Sequence, residues 1–500
     1  MQWRHGASLA LVLAILASLV PTIAVSNAAA AGPTDKINHV IVIYQENWSF
    51  DGLYGNFPGA NGLANAGPVT QVDKNGKPYG VLPQPIDTTL KPPAPDPRFP
   101  ANLPVAPYNA AQYVAPDQKT GDLVHRFYQE QLQIDGGKMD KFVSWSDAAG
   151  MVLSYFDATN MPEGKLAQQY TMADNFFHAA FGGSFLNHFW LICACSPQWP
   201  NAPAASVAQI DANGGLVKDG AVTPDGYAVN TAYTVNTPHP ASVTDPANLV
   251  PNQTMPNIGD RLSEKDISWA WYAGGWNDAL AGHADPLFQY HHQPFAYFAN
   301  YADGTAAKTA HLKDEQEFTA SLGNGTLPAV SFIKPLGPDN EHPGYASLVR
   351  GQQHVADLVG AVQNSPYWAD TAIVITYDEN GGRWDHVAPP QGDKWGPGTR
   401  VPTIIISPYA KRGYVDHTQY DTTSVLKFIE NRWGLAPLGT RDAAANDLTN
   451  AFDFGTIPGL PNTGGGAAAG KPALRAPLLG LAAVLVAIVP LLLRRRARRA

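Results

Sequence analysis

Two short stretches place carboxylates side by side. In TYDENGGRWDHVAPP, Asp378, Glu379 and Asn380 precede Gly381 and Gly382, and in HVIVIYQEN an apolar run ends in Gln45, Glu46 and Asn47. Adjacent carboxylates repel one another unless a positive charge lies between them, and a divalent cation is the simplest source of one. Glu46, Asn47, Asp378 and Glu379 offer only oxygen, a donor set suited to a hard ion such as Ca²⁺, Mg²⁺ or Mn²⁺. Either stretch taken alone is also compatible with an ordinary acidic turn.

A third stretch, NFFHAAFGGSFLNHFWLICAC, sets Ser184 behind Gly182 and Gly183 and ahead of an apolar segment of helical length. A serine at a helix N-terminus lies among free N–H groups that favour an anion, and its oxygen is poised for in-line attack on phosphorus. The same position also suits a plain helix cap. Histidines complete the set: His125 in DLVHRFYQEQ, His291 and His292 in QYHHQPF, and His342 in DNEHPGYAS, with His188, His386 and His417 as second candidates. Each is compatible with a structural role. Together they could donate to phosphate oxygens or protonate a leaving group, since imidazole titrates near neutrality.

These residues need a scaffold. Short runs rich in β-branched residues at 39–44, 329–333, 371–377 and 402–407 predict buried strands, and helical patterns at 122–134, 354–362 and 422–433 alternate with them. Such alternation predicts an α/β fold: a largely parallel central sheet with helices on both faces, and working residues beyond the carboxyl ends of its strands. Two stretches crowded with Pro, Gly and Asn, 56–118 and 196–256, read as long loop excursions that could cover the site.

The ends carry a different message. Residues 1–31 place Arg4 ahead of an apolar run and then small residues, the pattern of a secretory signal peptide, with an uncleaved anchor as the alternative. Residues 32–459 form the expected catalytic domain. Leu460 to Gly464 spell LPNTG within a Gly/Ala-rich spacer, 460–475, and an apolar segment with a basic terminus occupies 476–500. That order resembles a sortase sorting signal, and a plain membrane anchor is the alternative. Either predicts a secreted protein attached to the cell surface, with sortase and the cell wall or the membrane as partners. Without the signal segment and the residues after Gly464, 25 basic side chains face 42 acidic ones, a net charge of −17. This excludes nucleic acid as an expected partner and denies a phosphate substrate any long-range attraction. Cys193 and Cys195 are the only cysteines, and one intervening residue predicts two thiols or a labile bond rather than a structural staple.

Taken together, HVIVIYQENWSFDGLYG, HRFYQEQLQIDGGKMDKFV, ADNFFHAAFGGSFLNHFW, NEHPGYAS, TYDENGGRWDHVAPP and RVPTIIISPYAKRGYVDHTQYDTTSVLKFIE, in this order across residues 36–435, resemble a bacterial phosphoesterase family. That family contains phosphatidylcholine-type phospholipases C and a respiratory-burst-inhibiting acid phosphatase, and is related to the alkaline phosphatase superfamily. The resemblance implies Ser184 as a nucleophile forming a phosphoseryl intermediate. It implies Glu46, Asn47, Asp378 and Glu379 as the shell of one divalent metal cation that Ser184 adjoins, and His125, His291, His292 and His342 as a ring that binds phosphate and transfers protons. Phospholipase-like members tend to carry Arg after QEN and a Thr nucleophile. Here Trp48 and Ser184 stand instead, which is more similar to the acid phosphatase branch, with phospholipase C acting on lipid diesters as the alternative; an apolar rim beside the site would favour that alternative, and the aromatic stretch from Trp269 to Trp276 could provide one. A surface adhesin that kept the fold without the chemistry is the reading from another class.

Overall fold

The computed structural model describes residues 32–455 apart from residue 213. The expected signal peptide, the LPNTG spacer and the C-terminal apolar segment lie outside the described residues. Among the described residues, no helix is long and apolar enough to cross a membrane.

The β-branched runs form the middle of an eight-stranded sheet. Its strands are β1 (His39–Gln45), β2 (Thr171–Ala173), β3 (Trp269–Ala273), β4 (Leu312–Asp314), β5 (Val330–Lys334), β6 (Thr371–Tyr377), β7 (Thr403–Ile406) and β8 (Tyr414–Asp416). They are ordered β4-β3-β5-β1-β6-β7-β2-β8. Only β7 runs against the others, pairing antiparallel with β6 and β2. The central strands are largely apolar because both faces are covered. Val40, Ile41, Val42, Ile373, Val374 and Ile375 are all buried.

Side chains alternate across a strand, and this decides what lies where. Tyr44 reaches the face covered by the helix Ser184–Cys193, donating its hydroxyl to Asn187 O at 3.3 Å. On the opposite face Tyr377 donates to Glu341 Oε2 at 2.7 Å and Glu163 Oε2 at 3.1 Å, where the helices Pro162–Gln169 and Leu348–Gln363 pack together. The buried pair Glu163 and Glu341 belongs to that second face.

Two expectations need correction. The helix predicted over 122–134 forms only as Phe127–Ile134, because residues 122–126 run extended beside the Ser184 loop. The tryptophan-rich stretch 269–276, considered as an apolar rim, contributes the buried strand β3 and the buried Trp276 and presents no rim. Of the two states expected for Cys193 and Cys195, two thiols or a bond, the structure shows the disulfide.

Candidate active site

The site begins with the register of two strands. β1 and β6 are parallel neighbours, with His39 opposite Thr371 and Gln45 opposite Tyr377. The residues that follow, Glu46 and Asp378, therefore leave adjacent strands at the same end, and alternation sends them toward the face that carries Tyr44 and the Ser184 helix. Gly381 closes the turn after Asp378: it holds φ +60°, and a β-carbon there would lie 2.3 Å from Asn47 O. Only glycine brings the two strand ends this close.

Ser184 is the first residue of its helix, with Gly183 as the cap residue. The loop before it passes directly over residues 125–127. A β-carbon on Gly182 would lie 2.4 Å from Phe127 N, and one on Gly183 2.7 Å from His125 O. The paired glycines thus bring His125 and Ser184 together. Glu130 fixes the loop from below, accepting from Gly182 N at 2.6 Å and Thr399 N at 3.1 Å and facing His178 Nε2 at 2.8 Å. Asn187 binds it from within the helix, donating to Ala180 O at 3.0 Å and accepting from Ala180 N at 3.0 Å.

Held this way, Ser184 Oγ donates to Glu379 Oε1 at 3.2 Å. Glu379 Oε2 accepts from Gly381 N at 2.7 Å, and Asp378 Oδ1 accepts from Glu379 N at 2.9 Å and Asn47 N at 3.3 Å. Glu46 lies apart from this trio. Its Oε1 is 2.5 Å from His292 Nε2 and 3.0 Å from Lys334 Nζ, and its Oε2 accepts from the Tyr345 hydroxyl at 3.2 Å.

The candidate histidines converge on one cavity. A space of about 330 Å³ is lined by Ser184, Glu46, His125, His291, His292 and His342, together with Asp122, Asp147 and Tyr345. Asn230 and Thr231 reach it from the second excursion; the first excursion does not contribute. His125 Nδ1 lies 2.5 Å from Leu123 O, while its Nε2 faces the Asn47 amide at 3.3 Å and Glu379 Oε1 at 3.8 Å. His291 and His342 each keep a buried Nδ1 without a hydrogen-bond partner. The second candidates divide. His188 stacks on His292 at 5.1 Å and faces Ser184 O at 2.7 Å, so it supports the site from behind. His386 and His417 pair instead with Asp51 and Asp174.

Burial and neighbouring charges spread the protonation states apart. Burial pushes the Glu379 carboxyl well above the usual carboxylate range, with Asp378 adding to the effect and His125 opposing it. Burial likewise raises Asp378, against Lys334. Glu46 goes the other way: despite burial, His292 and Lys334 hold it well below the usual range. Burial lowers His291 and His292, so both are neutral rings near pH 7. For His125, Glu379 and Asp122 overcome the depressing effect of burial and raise it to about 9. The cavity therefore sets the His125 imidazolium beside the neutral rings of His291 and His292.

Two groups of described residues bring three ligand atoms within 4.8 Å of one another: Asp122, His125 and His342 at the cavity wall, and Asp51, Asp385 and His386 away from it. The second group already has a cation, since Arg400 donates to Asp385 Oδ1 at 2.9 Å and Asp51 Oδ1 at 3.2 Å. In the first, His125 Nδ1 is turned to Leu123 O. The carboxylates read from the sequence are not among these groups, because Lys334 stands between Glu46 and Asp378. On the other side of Asp378 the donors do fit a hard cation: Asn47 Oδ1 is fully buried without a hydrogen-bond partner, beside Asp378, Glu379 and Ser184.

Lys334, Glu130, Asn187, Asp122 and Tyr345 were not singled out in the sequence. Lys334 had a signal: a lone charge ending the apolar run VSFIK. Trp48 fares differently, being buried under the Arg383 guanidinium at 4.0 Å and donating Nε1–H to Glu341 O at 3.1 Å, outside the cavity.

The model of the Phosphoesterase family matches residues 37–436. The chain is 26% identical over 498 residues to the non-hemolytic phospholipase C of Burkholderia pseudomallei, covering 87% of this chain and 62% of that protein. It is 26% identical over 477 residues to phospholipase C B of Mycobacterium tuberculosis, covering 85% of this chain and 80% of that one. Among solved structures, a protein of the alkaline phosphatase superfamily from Vibrio parahaemolyticus shares 11% identity over 57% of this chain and 64% of its own, with a TM-score of 0.33.

Proposed function

The chain belongs to the Phosphoesterase family and is a phosphoric ester hydrolase; from that premise we propose that it cleaves phosphate diesters of the phospholipid type, with Ser184 as nucleophile. The observation that carries this reading is the hydrogen bond from Ser184 Oγ to Glu379 Oε1 at 3.2 Å, at a helix N-terminus that opens into a cavity ringed by four histidines.

The chemistry follows from those contacts. Ser184 Oγ attacks phosphorus as its proton passes to Glu379 Oε1. The bond from phosphorus to the leaving alcohol breaks, and the imidazolium of His125 supplies the alcohol with a proton. His291 and His342 have free ring nitrogens for the nonbridging oxygens, while Glu46 orients His292. Water then hydrolyses the phosphoseryl ester and restores Ser184. A divalent cation held by Asn47, Asp378 and Glu379 beside Ser184 would add positive charge that favours the serine alkoxide and the phosphoryl oxygens.

Two observations favour a diester over the monoester expected from the acid phosphatase branch. That expectation rested partly on Trp48, whose side chain is buried outside the cavity. The cavity wall carries Asp122 and Asp147, which repel a doubly charged monoester more than a singly charged diester. The names of the relatives agree with this choice. Secretion and attachment to the cell surface complete the proposal, supported by the two ends of the sequence.

The test is hydrolysis of a phosphatidylcholine diester and of a chromogenic phosphate monoester, with and without chelator, by the wild type and Ser184→Ala. Diester turnover that the chelator and the substitution both abolish is the expected result. Preference for the monoester would return the assignment to an acid phosphatase. Normal turnover by a folded Ser184→Ala protein would remove Ser184 from its role.

A further inference from the structure

Lys334 ends β5, which lies on the side of β1 opposite to β6, so its side chain reaches the carboxylates across the end of β1, from the flank opposite the strand that carries Asp378. It is fully buried. Its Nζ lies 3.0 Å from Glu46 Oε1, 3.4 Å from Asp378 Oδ2 and 3.4 Å from Gln45 O. An ammonium has three hydrogens, and here three acceptors surround it. The Tyr44 ring, 5.2 Å from Nζ, covers another side. A charge at the end of an apolar strand is costly to bury without partners, and these partners are the carboxylates that the site requires.

The charge count gives this placement a purpose. Glu46, Asp378 and Glu379 carry three negative charges when ionised, and Lys334 reduces the sum to two. One divalent cation then brings these four side chains to neutrality, leaving the His125 imidazolium as the net positive charge. We propose that Lys334 is a built-in counterion of the catalytic centre. As a positioning residue it holds Glu46 against His292, and it confines a divalent cation to the Asn47–Glu379 side, where that cation is bound less tightly than the bare carboxylates would bind it. The second part rests on the cation reading given under the proposed function.

Calorimetric titration of Mn²⁺ into the full chain and into Lys334→Met, at one pH and after chelator treatment, reads the effect directly. Removing a fixed positive charge this close should tighten Mn²⁺ binding by about tenfold or more. Equal or weaker binding by a folded variant would overturn the proposal. A second measurement needs no metal: the Tm of Lys334→Met, Glu46→Gln and the double variant in chelator. Lys334→Met should lower the Tm, and adding Glu46→Gln should recover a substantial part of the loss; strictly additive losses would remove the counterion role. If the wild type takes up no Mn²⁺, the cation reading is what fails, and the Tm comparison alone decides whether Lys334 is a counterion.

Discussion

Replacing His125 with glutamine tests the assignment of the general acid, because the structure gives both the size and the pH dependence of its contribution. With its pKa raised to about 9 by Glu379 and Asp122, nearly all of His125 is imidazolium at pH 7. At pH 10 only about a tenth remains charged, so kcat/KM for the diester should fall by roughly tenfold between pH 7 and pH 10. His125→Gln removes the proton donor and should cost about 10²-fold to 10⁴-fold when the leaving group is an alkyl alcohol. With a nitrophenyl ester, whose leaving group departs without a proton, the loss should be far smaller. The measurement is kcat/KM against pH for both substrates and both proteins. Equal losses on the two substrates, or an alkaline limb near pH 9 that survives in His125→Gln, would refute the assignment. Stability follows the same group. A folded-state pKa above the unfolded value of about 6.5 stabilises the fold fully below that value, and this stabilisation is lost as pH rises through about 9. The contribution is at most about 3 kcal/mol, and urea unfolding of wild type and His125→Gln at pH 6 and pH 10 would measure it.

Two further substitutions probe the supports. Glu130→Gln keeps the shape of the side chain but gives up its charge and one of its acceptors below the Ser184 loop, at a cost of about 1–3 kcal/mol; kcat should fall by up to about 10²-fold with KM changed much less, and an unaltered kcat would show that the loop does not depend on it. Arg400→Gln strands Asp51 and Asp385 in the interior without their cation and should lower stability by about 3–5 kcal/mol in urea unfolding, whereas a loss under 1 kcal/mol would mean that the network contributes little.

What could be read from the sequence follows from the range of the forces involved. The strand 371–377 was placed to the residue, and β1 to within one, because a β-branched run bounded by polar residues is a local signal. The helix 422–433 was placed to the residue as well, its start marked by Asp421, which caps it by accepting from Thr423 N at 2.7 Å. By contrast β2 and β4 have three residues each, too few to show a period, and β3 is rich in tryptophan, which suits a buried strand and an exposed rim equally well. The same rule governs the site. QEN, DENGG and GGS announce themselves because their residues adjoin in the chain. Lys334 and Glu130 work through partners 289 and 52 residues away, and no local pattern carries that pairing.

The charges of the site and those of the whole chain pull in opposite directions, and that opposition explains why the site takes its form. Residues 32–464 carry a net charge of −17, so an anionic ester is repelled at long range and must be held by contacts of a few ångströms. The groups able to do this are the N–H groups around Ser184, the His125 imidazolium, the ring nitrogens of His291 and His342, and a cation beside Asn47. Each is at least partly shielded from water, where the effective dielectric is lower and short-range attraction is correspondingly stronger. The buried carboxylates that would hold the cation repel the same ester, and Lys334 offsets part of that repulsion from within the fold. A singly charged diester asks less of this arrangement than a doubly charged monoester does. The balance of charge around Ser184, more than the shape of the cavity, is therefore what the choice of substrate should depend on.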